Sequence, residues 1–519
     1  MRSLLQWIFL FCLSVSVASA VERAPDVTLN GTMTGADNET YREVPFEVPA
    51  GVVRLTVEFS FTGRDEKTTL DLGLRDPVRW RGWSGGDKSR YVLEEANATP
   101  SYLPGPLPPG TWKLVIGVPN IRKTTTSDFT AKIWFDHADA PFPGFLTAPI
   151  NPNPGWYRGD LHMHTAHSDG KCTSNKGVRV ACPVFKTLEA ASARHLDFIA
   201  VTDHNTTTHS NSLRELAPYF DDLLLIPGRE VTTFKGHANL FGPTRFVDFQ
   251  LGSEHAPSMQ TILDEVAAAH GLISINHPGA PSGEVCMGCG WRVADVDYSK
   301  VSAIEAVNGG TVNSTGSAEA QFSNIPFWEE RLNAGIHITA IGGSDNHNAK
   351  SPPNEPSSIG VPTTVVHASE LSQAAILEGI RKGHVFVDVW GSSSSSLEVE
   401  AAAEGKHAEM GDSLALSRKA RVRLTVHVAG MSPDAVIVWA GDGAKLLTRA
   451  AGEQKTSAQS AKVGERRAAP GVSLGGSDTH HSFELTADGH RHWLRADVRS
   501  ADGKLLLLGN PIYLVEGSR

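Results

Sequence analysis

The sequence predicts an α/β fold, in which a barrel of parallel strands and crossover helices is flanked by an all-β region on each side. Three observations predict it. Short apolar runs alternate with helical stretches through residues 155–390, period-two alternation marks strands before and after them, and segments rich in proline or serine separate the three parts. About seven strands within about 230 residues is the size of a closed (β/α) barrel.

The start of the chain has the features of an export signal. Arg2 precedes a largely apolar stretch, residues 4–17, and residues 16–20 offer a cleavage site after Ala20. We therefore expect residues 1–20 to be removed and the mature protein to be exported, either periplasmic or secreted. A retained anchor is the alternative, although the stretch is short for a membrane span. Because no later segment is apolar enough to cross a bilayer, we expect no stable membrane anchor after cleavage.

Residues 21–150 are predicted to form an N-terminal β-sandwich-like domain. Residues 53–61 alternate between apolar and polar side chains, as a half-buried strand must, and residues 112–118 follow a Pro-Pro-Gly turn. A proline-rich linker, residues 141–154, leads into the barrel.

The elements of the barrel follow from the alternation of apolar runs and helical patterns. The predicted strands are residues 159–164, 198–204, 223–230, 272–277, 303–308, 338–345 and 360–367, and helical stretches include 184–195, 259–270 and 368–382. After Gly391 and a run of serines, residues 397–519 return to period-two alternation and predict a C-terminal β domain.

Composition narrows the classes of function. The 519 residues are 40% hydrophobic and 20% charged, which is ordinary for a globular protein and excludes wholesale disorder. The formal net charge is −10, from 47 basic and 57 acidic residues. This balance argues against a nucleic-acid partner as the main target.

Four cysteines remain after signal removal, an even number that suits an oxidising compartment. Of the three connectivities, two short-range pairs are favoured, Cys172–Cys182 and Cys286–Cys289. Free thiols are one alternative. A zinc half-site at residues 286–289 is another, although the spacing of Cys172 and Cys182 does not supply its second half.

Ionisable side chains collect where the predicted barrel strands end. His162 and His164, two apart in a strand, point to the same side and form a natural chelate for a divalent metal. Each of the next five runs also stops at or beside a His, Asp or Glu: Asp203-His204, Glu230, His277, Glu305 and Asp345-Asn346-His347. The carboxyl ends of barrel strands share one rim, which is where barrel enzymes carry their sites.

Bound cations explain this convergence better than isolated hydrogen-bonding residues do. A single histidine of this kind is as easily a capping or hydrogen-bonding residue as a ligand. Six consecutive strand ends are harder to explain, because packed carboxylates repel one another and buried imidazoles need partners. Cations neutralise the carboxylates and accept the imidazole lone pairs.

The ordered motifs resemble those of the PHP (polymerase and histidinol phosphatase) metal-dependent hydrolases. They are H-x-H-T-x-x-S-D-G, T-D-H-N, G-x-E, N-H-P and G-S-D-x-H, within about residues 155–390. The flanking β regions and the export signal resemble the CehA/McbA branch, named for a carbaryl hydrolase. The resemblance implies a distorted (β/α)7 PHP barrel that holds two or three divalent metal ions.

The resemblance also implies which residues bind each ion. One would be held by His162, His164, Glu230 and Asp345; a second by Glu230, His277 and His237; a third by Asp169, His204 and His347. Asp169 stands where some relatives carry histidine, and a carboxylate there lowers the net charge of the third site. The mixed nitrogen and oxygen ligands suit Zn, Mn or Fe.

Such a centre activates water for attack on an ester. We expect His167 to protonate the leaving group. The alternative is that His167 is a solvated loop residue. Arg229 would clamp an anionic group or brace its strand end. Glu305 and Asn308 would orient the substrate or support the ligands from behind.

Three functions follow from these residues. The favoured one is an exported metal-dependent hydrolase that cleaves a small-molecule phosphoester with a metal-bridged hydroxide. A carbamate or carboxylic ester hydrolase with the same centre is the second, and a non-catalytic binding protein is the third. A cationic pocket around Arg229, Lys235 and Arg292 would favour phosphate, whereas an apolar pocket around Phe234, Met287 and Trp291 would favour an aryl ester. The sequence does not predict the oligomeric state.

Overall fold

The computed structural model describes residues 23–284, 286–448 and 471–517. The predicted export signal, residues 1–20, lies outside the described residues. Within the described ranges, no helix is both long and apolar enough to span a membrane.

The N-terminal region consists of two antiparallel sheets of four strands each, within residues 27–137. The strands are β1 (Val27–Thr34), β2 (Thr40–Val48), β3 (Val52–Phe61), β4 (Thr69–Arg75), β5 (Trp80–Gly85), β6 (Arg90–Glu94), β7 (Gly110–Asn120) and β8 (Thr126–His137). The orders of the two sheets are β1-β8-β3-β6 and β2-β7-β4-β5. Apolar side chains of both sheets, Leu55 and Ile133 of one and Leu72 and Trp112 of the other, pack in one buried cluster because period-two alternation turns them inward.

The central region is mixed α/β, with a large sheet. Its strands are β9 (Gly155–Asp160), β10 (Lys171–Thr173), β11 (Arg179–Ala181), β12 (Phe198–Val201), β13 (Leu224–Thr233), β14 (Gly236–Phe241), β15 (Leu272–Ile275), β16 (Ala303–Asn308), β17 (Thr339–Gly343), β18 (Thr363–Ala368) and β19 (Val385–Asp388). Its α-helices are α1 (Val184–Ala193), α2 (His209–Leu216), α3 (Met259–Ala268), α4 (Gly309–Thr315), α5 (Ile325–Asn333) and α6 (Gln373–Lys382). Across the described residues, short 3-10 helices lie at Gly35–Asp37, Arg64–Glu66, Tyr298–Lys300 and Asp442–Leu446.

Local sequence explains the central helices and strands. Ser258 and Ser372 cap α3 and α6 with side-chain hydrogen bonds to backbone N–H groups, and Gly383 ends α6 in the left-handed conformation. The four residues of β12 are all buried, as expected of a strand between parallel neighbours.

The strand order differs from the regular parallel alternation that the sequence predicts. The sheet runs β17-β16-β15-β14-β13-β12-β9-β18-β19, with parallel pairing in β9-β12-β13 and in β15-β16-β17. Residues 236–241 form β14, an unpredicted strand that is antiparallel to both of its neighbours and makes a tight hairpin with β13. The expected helix follows it as α3 and leads to β15. The predicted seventh strand, β18, runs antiparallel to β9.

The carboxyl ends of the parallel strands are tied together just beyond the regular ladders. The backbone N–H of Asp345 donates to the carbonyl of His162 at 2.9 Å, and that of Thr202 donates to Met163 at 2.8 Å. Short parallel bridges join Met163 to Asn346 and His204 to Glu230. Segments that follow β9, β12 and β17 therefore meet β13 at one rim.

The buried carboxylate of Asp160 holds the segments of this rim together by hydrogen bonds. Its carboxylate accepts backbone hydrogen bonds from His162, Ser344 and Gly360 at 3.2, 3.0 and 2.7 Å. Burial raises its pKa, although these donors oppose the rise. One side chain thus sets the spacing between the ends of β9 and β17.

The C-terminal strands continue the central sheet. These strands are β20 (Ser396–Ala403), β21 (Lys406–Glu409), β22 (Ser413–Leu416), β23 (Arg421–Ala429), β24 (Val436–Ala440), β25 (Leu447–Thr448), β26 (Val472–Ser473), β27 (Asp478–Thr486), β28 (His492–Arg499), β29 (Leu505–Gly509) and β30 (Ile512–Glu516). Strand β19 pairs with β29, and the order goes on through β28, β24 and β26. A further sheet has the order β21-β20-β23-β27-β25. The domain boundaries stay predictions.

Candidate metal centre

Glu230 lies at the centre of the converging side chains. It is fully buried on β13, and imidazoles from four other segments surround its carboxylate. Oε1 lies 3.5 Å from His162 Nε2, 3.3 Å from His237 Nδ1 and 3.4 Å from His277 Nε2. Oε2 lies 2.7 Å from His204 Nδ1 and 3.8 Å from His164 Nε2.

Asp345 forms a second junction beside Glu230. Its Oδ1 lies 3.4 Å from His162 Nε2, 3.3 Å from His164 Nε2 and 3.6 Å from His347 Nδ1. Donor atoms of His162, His164 and Asp345 all lie within 4.8 Å of one another, as do those of His162, Glu230 and His277. The two groups share His162.

A third group lies nearer the surface. Asp169 Oδ1 is 3.3 Å from His347 Nε2 and 3.6 Å from His204 Nε2. His164 belongs to the same group, with its ring centroid 4.1 Å from that of His347 and 4.3 Å from that of His204. The side chain of Asp169 is 57% exposed, so this group is open to solvent where the other two are closed.

Half of these separations, at 3.3–3.4 Å, are typical of ligands that share a metal ion. Two donors about 2.05 Å from one tetrahedral ion stand about 3.3–3.4 Å apart. A hydrogen bond between them would be about 2.7–3.2 Å. The contacts of His162 Nε2, at 3.4 and 3.5 Å, match the first geometry.

Several donor atoms in the centre have no hydrogen bond to any described residue although they are buried. They are His162 Nε2, His164 Nδ1 and His237 Nδ1. Leaving a buried polar group unsatisfied costs about 1–3 kcal/mol, so such a concentration in one place needs a partner. The donor set fits a divalent cation.

The charges inside the centre are strongly coupled. Burial acts to lower the pKa of His162, but the charges of Asp345, Glu305 and Glu230 outweigh it and hold that pKa well above its usual value. Burial acts to raise the pKa of Glu230, yet His162, His204 and His237 hold it well below. Burial lowers the pKa of His164 to about 4. The carboxylates thus stay ionised and favour positive charge among them.

The exposed group has its own pair of shifts. The hydrogen bond with His347 lowers the pKa of Asp169 to about 2. Burial acts to lower the pKa of His347, but the bond to Asp169 raises it to about 9. A carboxylate at position 169 therefore adds negative charge to this group.

Glu305 supports the ligands from behind. Its Oε1 lies 2.9 Å from His162 Nδ1, and its Oε2 accepts hydrogen bonds from the backbone N–H of His277 and from Asn308 Nδ2 at 2.9 and 3.0 Å. A carboxylate on the outer nitrogen fixes the tautomer of a ligating histidine and directs its other nitrogen toward the metal. Asn308 Nδ2 also lies 3.3 Å from Asp345 Oδ2.

Two supporting residues were given no role by sequence reasoning. Asn276 Nδ2 donates to Glu230 Oε1 at 2.9 Å. Asp203 accepts hydrogen bonds from the backbone N–H and the hydroxyl of Thr165, at 2.7 and 2.6 Å, and from the hydroxyl of Ser168 at 2.5 Å. Both lie inside quoted motifs, one residue before a predicted ligand, so adjacency within the motif was the available signal.

The two predicted catalytic residues lie outside the donor groups. His167 is half-buried and its Nδ1 lies 2.7 Å from the Thr208 hydroxyl. Arg229 precedes Glu230 on β13 and so points to the opposite face, where its guanidinium lies 5.0 Å from the Phe246 ring centroid. Burial lowers the pKa of Arg229 to about 10. The structure therefore does not bring Arg229 to the metal centre.

The structure joins the cysteines as the two short-range pairs, Cys172–Cys182 and Cys286–Cys289. The second pair borders the centre, because the carbonyls of Met287 and Cys289 lie 3.3 Å from His237 Nε2 and His277 Nδ1. The 286–289 loop thus contacts the outer nitrogens of two predicted ligands.

The rim beside this loop is largely apolar. Phe234 and Met287 are 89% and 77% exposed. Trp291 packs against Gly236, where an added Cβ would lie 2.4 Å from the indole. Arg292 Nη2 donates a hydrogen bond to the carbonyl oxygen of Phe234 at 3.1 Å.

Comparisons with known proteins give distant similarities. No family model matches the chain. An uncharacterized protein of Methanocaldococcus jannaschii is 27% identical over 150 residues, which is 29% of this chain and 82% of that protein. A solved two-domain protein of Bacteroides vulgatus, containing a predicted PHP-like metal-dependent phosphoesterase, has a TM-score of 0.35 at 16% identity, over 69% of this chain and 95% of that one.

A second solved structure is from Bifidobacterium adolescentis, and its assignment as a metal-dependent phosphoesterase is itself a prediction. It has a TM-score of 0.27 at 15% identity, over 38% of this chain and 91% of that one. At these identities and TM-scores, neither likeness establishes a family for this chain, and its function has to be argued from the site.

Proposed function

We propose that this protein is a metal-dependent hydrolase of the PHP type, of the CehA/McbA branch, and that it cleaves phosphoesters. One observation carries the proposal: donors from sequence-distant segments meet around Glu230, at separations that suit shared cations and with buried donor atoms left without hydrogen bonds to described residues. A distorted (β/α)7 barrel belongs to the same proposal.

The donor groups indicate which residues would hold each ion. His162, His164, Glu230 and Asp345 suit one, and Glu230, His237 and His277 suit a second that shares the Glu230 carboxylate. Asp169, His204 and His347 suit a third, with His164 in reach. Zn, Mn and Fe are the candidate metals.

The chain's own residues prepare the site for hydrolysis. Divalent ions here would lower the pKa of bound water and polarise the ester oxygen. Glu305 holds His162 in one tautomer, and Asn276 orients the Glu230 carboxylate by donating to Oε1. We propose His167 as the residue that returns a proton to the leaving group. The Thr208 hydroxyl, 2.7 Å from Nδ1, fixes the orientation of its ring.

A carbamate or carboxylic ester hydrolase is the second candidate. Arg229, predicted to clamp an anionic group, faces away from the centre, and Arg292 is engaged by a backbone carbonyl. The exposed Phe234 and Met287 beside the ligands suit an aryl group. These contacts favour an ester with an apolar portion.

A substrate screen separates these candidates. Purified protein is assayed with nitrophenyl phosphate, a phosphodiester, an acetate and a carbamate, alongside His162→Ala/His204→Ala and the matched surface variant His137→Ala/His255→Ala. We expect a phosphoester to turn over fastest. The His162→Ala/His204→Ala variant should lose activity while keeping its fold, and the surface variant should remain active.

Full activity of the His162→Ala/His204→Ala variant on every ester would show that the site is wrongly assigned. Turnover of the carbamate or the acetate alone would favour the second candidate.

We also propose that the protein is exported, either periplasmic or secreted, and acts on a small-molecule ester rather than a nucleic acid. The paired cysteines support an oxidising compartment. Fractionation of the native cells tests the location, and recovery of the protein in the cytoplasm would contradict it.

A further inference from the structure

A second set of metal-ligating side chains lies where the central sheet meets the C-terminal strands. His367 is on β18, His384 precedes β19, and Glu409 ends β21. Their donor atoms all lie within 4.8 Å of one another. We call these three residues the second donor cluster. None of them belongs to the motifs that form the candidate metal centre.

The backbone places His367 and His384 beside each other. The N–H of His367 donates to the carbonyl of His384 at 2.9 Å. Trp156 is the cross-strand partner of His367 in the β9–β18 ladder, and their ring centroids are 5.0 Å apart with planes inclined by 28°. Donors held in place before binding lose little conformational entropy when they take a ligand.

Carboxylates surround the second donor cluster. Glu409 stands directly opposite Glu400 in the β20–β21 ladder, and like charges in that arrangement destabilise a sheet. Glu409 Oε2 lies 3.7 Å from His367 Nδ1, and Asp412 Oδ1 lies 3.2 Å from His384 Nε2. Lys382 acts on Asp412 from the end of α6. The balance is negative, so a cation would relieve the repulsion.

The cluster opens into a cavity of about 270 Å³. Its walls include Trp156, His367, His384, Glu398, Glu400 and Glu409. The side chains of His367 and His384 are 37% and 20% exposed, so the donors remain reachable from solvent. There is room for an ion that keeps water in its remaining coordination positions.

We propose that His367, His384 and Glu409 bind one divalent ion of the zinc class, which links β18 to the β20–β21 hairpin. Two imidazoles and a carboxylate with water form a common zinc ligand set. When His384 Nε2 donates its proton to Asp412, the lone pair of that ring lies on Nδ1, so Asp412 would act as the outer partner of a ligand. The proposal does not depend on hydrolase activity.

The test counts bound zinc in the full chain, with Zn²⁺ alone as the probe. The protein is equilibrated in a zinc buffer, and metal per chain is measured for the unmodified sequence, for His367→Ala/His384→Ala and for the matched control His137→Ala/His255→Ala. We expect the cluster variant to bind one zinc fewer per chain, to keep its hydrolase activity, and to lose the part of the zinc-induced rise in Tm that this site supplies. The control should match the unmodified protein. An unchanged zinc count in the cluster variant would overturn the proposal.

Two further comparisons keep the result decisive. Asp412→Asn should weaken zinc binding at this site by about 10–100-fold, as loss of an outer partner does elsewhere. If the double alanine variant does not fold, Glu409→Gln decides, and an unchanged affinity in that variant overturns the proposal. Repeating the count in a His162→Ala/His204→Ala background separates this site from the candidate metal centre, because one zinc should still be lost there.

Discussion

At the scale of single residues, Glu305 shows how the site is built from behind. It does not stand at the centre of the donor groups, yet it contacts the outer nitrogen of His162, the backbone N–H of His277 and the amide of Asn308. The sequence marked Glu305 as ionisable at a strand end, but it could not say whether this carboxylate orients substrate or supports a ligand. Only the direction of the His162 ring decides, because its Nδ1 faces Glu305 and its Nε2 faces Glu230 and Asp345.

Replacing Glu305 should therefore weaken the centre without dismantling it. Glu305→Gln keeps the shape and removes the charge, so we expect metal affinity or activity to fall by about 10–100-fold. Metal titration followed by turnover at saturating metal measures the two effects. The exposed Glu215→Gln is the matched control, and equal metal affinity in both variants would argue against the supporting role.

At the scale of elements, the site is built from the strand ends and from the β13–β14 hairpin, and the sequence predicts only the former. The strand ends could be predicted because apolar runs stop at His, Asp or Glu, and the structure brings those residues together. The β13–β14 hairpin could not. Residues 236–241 are buried on both faces, so they show no period-two alternation, and only Gly236 hints at the turn that Phe234 and Lys235 form.

The loop after β9 carries the exposed donor Asp169 and depends on Asp203. Asp203→Ala leaves the backbone N–H and hydroxyl of Thr165 and the hydroxyl of Ser168 without their acceptor. We expect the free energy of unfolding to fall by about 1–3 kcal/mol and the most weakly held metal ion to be lost. Urea unfolding and metal content measure this, with the exposed Asp221→Ala as control. A stable variant with full metal content would show that Asp203 does not position the loop.

At the scale of the whole molecule, one hydrogen-bonded sheet of 15 strands, counted over the described residues, connects the site to the C-terminal strands. The sequence suggests a break near the serine run because serine and glycine favour flexible segments. In the structure, hydrogen bonds hold this segment against the central sheet. The Ser395 hydroxyl donates to the Asp388 carboxylate at 2.5 Å, and Arg158 donates to the same carboxylate at 2.6 Å. Pairing between β19 and β29 joins residues more than a hundred positions apart, and no local pattern encodes such a contact.

The most direct test of the metal centre is to locate the ions. Crystals of the full chain loaded with Zn²⁺ or Mn²⁺ are measured by anomalous diffraction at the absorption edge of the metal. We predict at least two ions in contact with Glu230, about 2.0–2.3 Å from donor atoms of His162, Asp345 and His277. Anomalous peaks only elsewhere, with Glu230 bonded solely to protein groups, would contradict the account.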